Sequence, residues 1–456
     1  MSEEHFDAIV VGAGPTGEVA AGRLADEGLS VAIVESHLVA GECSFYACMP
    51  SKALLRPGEL LEEAERVPGV KEAVTGGLDA AAVLARRDEV IHNLDDSVQV
   101  PWLEEKGIRL FRGSGRFTAE KTVEVDNTTL VAGRAVIVST GSAAAMPPIE
   151  GLADSKPWNN REGTTSQEVP ASLIVLGGGP VGTELAQAWS SMGSKVTLIE
   201  AADRILGRLE AYAAEQVTES LREHGVDVRL GVKAERVARD GDTVTAALDD
   251  GAEVTGAEIL VALGRRPRTG DLDLEAAGAA TNDAGFIEVD NHMRAGGSDW
   301  LYAIGDVNGR ALLTHMGKYQ AWVAAENIVG RSVEGRAEGL GSPHVTFTDP
   351  QVAAVGKTLE QAQEAGLTVR AVDVPTDGTA GASFYGRNTG GTTRIVVDTD
   401  REVIVGATFV GFETADFLQA ATFAVVAEVP LADLRHAVAP FPTRSEIWLK
   451  LLEAYE

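Results

Sequence analysis

One local pattern constrains this chain more than any other, and it occurs twice. Asp7-Ala8-Ile9-Val10-Val11 reads as a short buried strand that runs straight into Gly12-Ala13-Gly14-Pro15-Thr16-Gly17. Helical residues 18–27 follow, then a second strand over 30–35 that closes on Glu35. Much later, Ser172-Leu173-Ile174-Val175-Leu176 runs into Gly177-Gly178-Gly179-Pro180-Val181-Gly182, a helix reaches Met192, and strand 195–200 closes on Glu200. A strand, a G-x-G-x-x-G turn, a helix and a strand ending in an acid make a dinucleotide-binding βαβ unit. The glycines let backbone approach a pyrophosphate at the helix N-terminus, and the acid takes up ribose hydroxyls. Neither copy has lost a glycine, so the sequence predicts two live sites rather than one site and a relic.

At 456 residues the chain exceeds one hydrophobic core and predicts about three domains of ordinary size. Pro147-Pro148 and Gly151 mark a boundary before the second nucleotide module. Residues 53–105 read as a helical stretch, and a strand-rich segment closes on Ser139-Thr140-Gly141. From about Gly339 the alternating segments 345–347 and 393–397 predict an antiparallel sheet, closed off by helices.

A net charge of −29 argues against nucleic acid or an anionic membrane as partner, since both would be repelled. No apolar run is long enough to span a bilayer, and the acidic start Met1-Ser2-Glu3-Glu4-His5 is unlike a secretory signal. A cytoplasmic location is the expectation. The chain has two cysteines, Cys43 and Cys48, and in a large cytosolic protein such a pair reads as catalytic rather than as a staple. Residues at that spacing on a regular helix stand too far apart for an unstrained disulfide, so Cys43 is expected in a distorted entry to the helix. Pro50 fits an opening turn.

Gly41-Glu42-Cys43-Ser44-Phe45-Tyr46-Ala47-Cys48-Met49-Pro50-Ser51-Lys52 resembles the redox-active segment of the pyridine nucleotide-disulfide oxidoreductases, which include dihydrolipoamide dehydrogenase, glutathione reductase and mercuric reductase. The resemblance covers the whole chain in order: first fingerprint, cysteine pair, Ser-Thr-Gly hinge, second fingerprint, Gly305-Asp306 and a C-terminal sheet domain. It implies an α/β fold with two Rossmann-like dinucleotide-binding domains plus a C-terminal α+β dimerisation domain. The expected spans are 1–150 and 269–338 for the FAD-binding domain, 151–268 for the NAD(P)-binding domain, and 339–456 for the interface domain of a homodimer.

The resemblance also implies roles. Gly12, Gly14 and Gly17 would admit the FAD pyrophosphate, Glu35 would bond its adenosine ribose, and Asp306, after Gly305, would hold the ribityl chain. Thr140 and Gly141, in the Ser-Thr-Gly hinge, would bind cofactor, Lys52 resembles the lysine near the flavin ring, and His315 falls near it in a helix opening. Cys48 would face the flavin and Cys43 would be the exchange thiol. Gly177, Gly179, Gly182 and Gly264 fall to the nicotinamide site, and Glu184 resembles a family glutamate near the nicotinamide, although a first-turn acid is also favoured by the helix dipole alone. Glu200 accepts from a free ribose diol and repels a 2′-phosphate, which makes NADH the expected donor; Arg204, four residues on, keeps NADPH open. No metal site is expected.

One departure puts the substrate in question. The family carries His-Pro-Thr followed by Ser-Glu near its C-terminus, the His serving as acid and base for thiol exchange and the Glu orienting it. Here the segment reads Phe441-Pro442-Thr443-Arg444-Ser445-Glu446, and phenylalanine cannot carry a proton. His436 would need a different backbone path to take its place. Phe441, with Ala47 before the second cysteine, resembles the 2-ketopropyl-coenzyme M oxidoreductase/carboxylase branch, but the retained Glu446 does not. Mercuric reductase also lacks the His, yet uses a C-terminal cysteine pair absent here. The expected activity is FAD-dependent NAD(P)H oxidation through the Cys43–Cys48 couple, with a small-molecule acceptor: a disulfide, metal ion, quinone or other electrophile. The alternatives are a thioether-cleaving ketone carboxylase and a structural flavoprotein subunit of a multienzyme complex.

Overall fold

The computed structural model describes residues 2–387 and 389–456; Met1, the first residue of the acidic start, and Asn388, inside the expected interface domain, lie outside the described residues. The chain divides into two compact units, each assembled from three separate stretches.

The first unit comprises 1–50, 88–145 and 265–338. Its sheet contains β1 (Ser2–Val11), β2 (Val31–Glu35), β3 (Arg109–Arg112), β4 (Gly115–Ala119), β5 (Thr122–Val125) and β6 (Thr128–Val138), ordered β3-β2-β1-β6-β5-β4. The C-terminal half of β6 also takes up strand Leu301–Ala303 in parallel. Ala8–Val11 and Val31–Val34 are buried without a break, as strands covered on both faces must be. One face carries Ile9, Val11, Val136 and Val138; the opposite face packs Ala8, Val10 and Ile137 against helix α1 (Pro15–Asp26) and helix Thr314–Ile328.

Two expectations need correction here. Strand β1 begins at Ser2, pairing Ser2 with Thr128, where the sequence suggested only an acidic lead-in. The helical stretch expected over 53–105 is broken into Cys48–Arg66, Ala80–Val90 and Val100–Glu105. Pro68-Gly69 and Gly76-Gly77 lie in the first gap, where glycine and proline disfavour helix continuation.

The second unit comprises 51–87, 146–264 and 339–456. Its nucleotide module is a parallel sheet ordered Asp227–Leu230, Lys195–Glu200, Ser172–Leu176, Glu258–Val261. A three-stranded antiparallel sheet, Ala234–Asp240, Thr243–Leu248 and Glu253–Gly256, packs on one face of it. The expected C-terminal antiparallel sheet is present, ordered His344–Thr346, Gln351–Gly356, Val403–Gly411, Thr392–Asp398, Val369–Pro375. Helices Leu418–Val426 and Ile447–Tyr455 cover it through Leu418, Ala421, Ile447 and Leu451. No described helix is long and apolar enough to cross a membrane.

Candidate active site

Each glycine turn has the shape a phosphate needs. Gly12 and Gly177 sit at φ +106° and +105°, a region costly for any residue with a Cβ. A Cβ on Gly17 would lie 2.0 Å from the Gly12 carbonyl oxygen, and one on Gly182 would lie 1.9 Å from that of Gly177, so strand and helix can meet only over glycine. A Cβ on Gly14 or Gly179 would instead project into open space, with nothing within 4 Å. Those two residues are the N-caps of α1 and of helix Pro180–Ser191, each followed by a proline at the first helical position. Open space at a helix N-terminus, ringed by backbone N–H groups, is what a pyrophosphate requires, so both sites fit a dinucleotide.

The acids are held alike. Glu35 accepts from Ala13 N at 2.8 Å and His37 N at 2.7 Å; Glu200 accepts from Gly178 N at 2.6 Å and Ala202 N at 2.8 Å. Each carboxylate is thereby fixed at the end of its strand beside the glycine turn. Arg204, which kept NADPH open, has Nη2 on the Gly207 carbonyl at 3.4 Å.

The cysteines occupy a break between two helices. Cys43 lies in α2 (Gly41–Tyr46), Ala47 breaks the helical path at φ −138°, ψ −95°, and α3 (Cys48–Arg66) starts on the second cysteine. This is the distorted entry expected from the spacing, with Pro50 in the opening turn. The Cys43 thiol donates to Cys48 Sγ, the sulfurs standing 2.6 Å apart. That contact, with burial, pushes the Cys43 thiol well up from its ordinary value. Thr314 Oγ1 lies 3.6 Å from Cys48 Sγ and pulls Cys43 the other way.

In the same unit, Asp306 accepts from the Ser142 hydroxyl, Thr140 Oγ1 donates to Arg268 O at 2.7 Å, and Gly141 O accepts from Arg268 N at 3.0 Å. Gly305 has φ +77° and its N–H donates to Gln320 Oε1. His315 follows Thr314 on the exposed side of its helix opening. Thr314, Ser142, Arg265 and Arg268 were not singled out beforehand. The Ser-Thr-Gly segment marks part of the neighbourhood, but no periodicity shows that it meets the two arginines.

In the second unit, Lys52 Nζ donates to Glu184 Oε2 at 2.6 Å and stands 4.7 Å from the centre of the Phe347 ring. Glu184 Oε1 accepts from Phe347 N at 3.0 Å, and its side chain is only 6% exposed. Glu184 is the fifth residue of helix Pro180–Ser191, beyond its first turn, so it is a fixed counter-charge and not the first-turn acid that the dipole alone would favour. Gly264, at φ +112°, follows the last strand of the nucleotide sheet. Phe441 is 76% exposed on a loop whose Phe441–Pro442 bond is cis; Asp349–Pro350 is cis as well. Arg444, packed over Tyr385, Phe412 and Phe417, anchors that loop. Among the described residues, Glu446 Oε2 is buried without a hydrogen-bond partner. His436 is exposed.

Known proteins match the chain over nearly its whole length. Residues 6–327 match the family described as "Pyridine nucleotide-disulphide oxidoreductase", and residues 342–452 match its dimerisation domain. This chain belongs to the pyridine nucleotide-disulfide oxidoreductases. A dihydrolipoyl dehydrogenase of Thermus scotoductus is 34% identical over 456 residues, covering 98% of this chain and 97% of that protein. A mercuric reductase of Staphylococcus aureus is 30% identical over 446 residues, covering 97% of this chain and 81% of that protein. Among solved structures, the copper(II) complex of the HOCl-induced flavoprotein disulfide reductase RclA from Escherichia coli superposes with a TM-score of 0.89 at 25% identity, covering 99% of this chain and 100% of that one. As a member of this family the chain is an FAD- and pyridine-nucleotide-dependent oxidoreductase of the disulfide reductase type.

Proposed function

We propose that this oxidoreductase draws two electrons from NADH and delivers them through a Cys43–Cys48 disulfide to an electrophile that needs no protonated leaving group. The observation that carries the reading is the placement of both sulfurs at the break between α2 and α3, with Cys43 donating to Cys48. Bound FAD supplies the two-electron relay between nicotinamide and disulfide. On taking up two electrons and one proton the Cys43–Cys48 bond breaks, leaving Cys43 as the thiol and Cys48 as the thiolate, which Thr314 and the N-terminus of its helix stabilise. Cys43 is then the exchange thiol. Lys52 and Glu184 act as a pair, the carboxylate fixing the ammonium in place.

Glu200, with Arg204 turned to its own loop, favours NADH over NADPH. Exposed Phe384, Phe423, Val438 and Phe441 in the dimerisation domain support a homodimer. With Phe441 where the family has its acid and base, a thiol leaving group finds no proton donor there. A soft metal ion needs none, and the mercuric reductase and copper-complex relatives support testing that class first.

The test is anaerobic reduction by NADH, followed by mercuric and copper ions, disulfides, quinones, and ketones with carbon dioxide. The reduced enzyme should develop a long-wavelength charge-transfer band that Cys48→Ser abolishes and Cys43→Ser does not. A band that survives Cys48→Ser overturns the assignment of the two sulfurs. Phe441→His should raise disulfide reduction about 10²–10⁴-fold while flavin reduction by NADH stays unchanged. Rapid disulfide reduction by the wild type, slowed by Phe441→His, would refute the role given to Phe441.

A further inference from the structure

Glu42 stands immediately before Cys43 in α2, and its side chain is mostly buried, 19% exposed. Its Oε2 accepts from Arg268 Nη2 at 3.1 Å, and its Oε1 lies 4.0 Å from Arg265 Nη2. Both arginines converge on Ser142. Arg265 Nε donates to Ser142 Oγ at 2.6 Å, while Arg265 Nη2 and Arg268 Nε donate to Ser142 O at 2.9 and 3.1 Å. The Ser142 hydroxyl in turn donates to Asp306, whose carboxylate lies 3.6 Å from Arg265 Nε. Four charges thus alternate around one serine, all within the first compact unit. Arg265 is shared with Asp306, so Arg268 is the closer counter-charge of Glu42.

We infer that Glu42 and Arg268 form a tuning pair that sets how readily the Cys43–Cys48 couple accepts electrons. The inference rests on the function proposed above. Reduction converts a neutral disulfide, with two electrons and one proton, into one thiol and one thiolate; the electrons come from the hydride of NADH. The reduced pair therefore carries one more negative charge than the oxidised pair. The negative charge of Glu42 opposes that added charge, and the positive charge of Arg268 favours it. In a half-buried setting such a charge acts through a lower dielectric than water and is screened less by salt. Paired, the two nearly cancel. A merely structural ion pair behaves differently, because losing either partner breaks the same contact and moves the couple in the same direction.

The experiment equilibrates the holoenzyme at pH 7 with NADH and NAD⁺ mixtures and reads the charge-transfer band. Glu42→Gln should be half-reduced at an NADH:NAD⁺ ratio about three- to tenfold lower than wild type, and Arg268→Gln at a ratio higher by a similar factor. The double variant should return close to wild type. Glu42→Asp and Arg268→Lys, which keep the charges, should stay within about twofold; they also guard against a neutral variant that loses its flavin. Shifts of both neutral variants in one direction, or no shift, overturn the tuning pair. A wild type that forms no thiolate band overturns the proposed function itself, before any variant is compared.

Discussion

The two nucleotide modules agree almost atom for atom in their turns and differ just beyond them. Gly12 and Gly177, Gly17 and Gly182, and Glu35 and Glu200 occupy equivalent backbone positions with equivalent bonds. The closing strands also match, with Ser139 N donating to Val11 O and Ala262 N to Leu176 O, each at 2.8 Å. The first difference is there: Ser139 Oγ also donates to Gly12 O at 2.7 Å, which Ala262 cannot do. The next two follow the third glycine. Glu18 stands where the second module has the fully buried Thr183, whose hydroxyl donates to Gly178 O at 3.1 Å. Val19 stands where the second module has Glu184, the partner of Lys52. The two turns fit a dinucleotide alike, and the first side chains to differ stand one and two places beyond them.

The largest expected effects break the symmetry by destroying one turn at a time. Gly17→Ala forces a Cβ to 2.0 Å from a carbonyl oxygen and should lower FAD content at least about tenfold, measured by absorbance of the purified protein. Gly182→Ala carries the same clash in the second module and should leave the protein yellow while NADH no longer reduces it. A colourless Gly182→Ala protein would mean that the modules do not hold separate nucleotides.

Making the second module resemble the first should have the next largest effect. Glu184→Val leaves Lys52 without its charge-assisted bond, worth about 1.5–3 kcal/mol. Flavin reduction by NADH should slow roughly ten- to hundredfold in stopped flow, with FAD content unchanged. A smaller change is expected of Glu200→Ala, which should narrow the preference for NADH over NADPH about tenfold in kcat/KM. A preference for NADPH already present in the wild type would reverse the reading of Glu200.

The smallest effect concerns Glu18. Burial pushes its carboxyl up to about 7, against the pull of Lys318, from an ordinary value of 4.5. The folded chain keeps a proton there that the unfolded chain has released, so stability from this group is full below pH 4.5 and is lost as pH rises toward 7. Glu18→Gln should flatten that dependence and add about 1–2 kcal/mol at pH 8, read from denaturant midpoints. An unchanged midpoint would show that the Glu18 carboxylate is hydrated in the folded protein.

The sequence by itself determined both glycine turns, both acids and the broken helix entry at the cysteines. Each is a local event: a positive φ, or a helix packed so close that a Cβ would stand 2.0 Å from a carbonyl oxygen, admits only glycine, and a short cysteine spacing admits few backbone paths. Strand pairing was less legible. The polar run at Ser2–His5 carries no apolar alternation, and it is a strand because Thr128–Val131 lies alongside it. Tertiary structure alone decided the partners of charged side chains. Lys52 with Glu184, Glu42 with Arg268, and Thr314 beside Cys48 join residues from distant stretches of chain. An ion pair or hydrogen bond depends on direction and distance after folding, and leaves no period or spacing in the sequence.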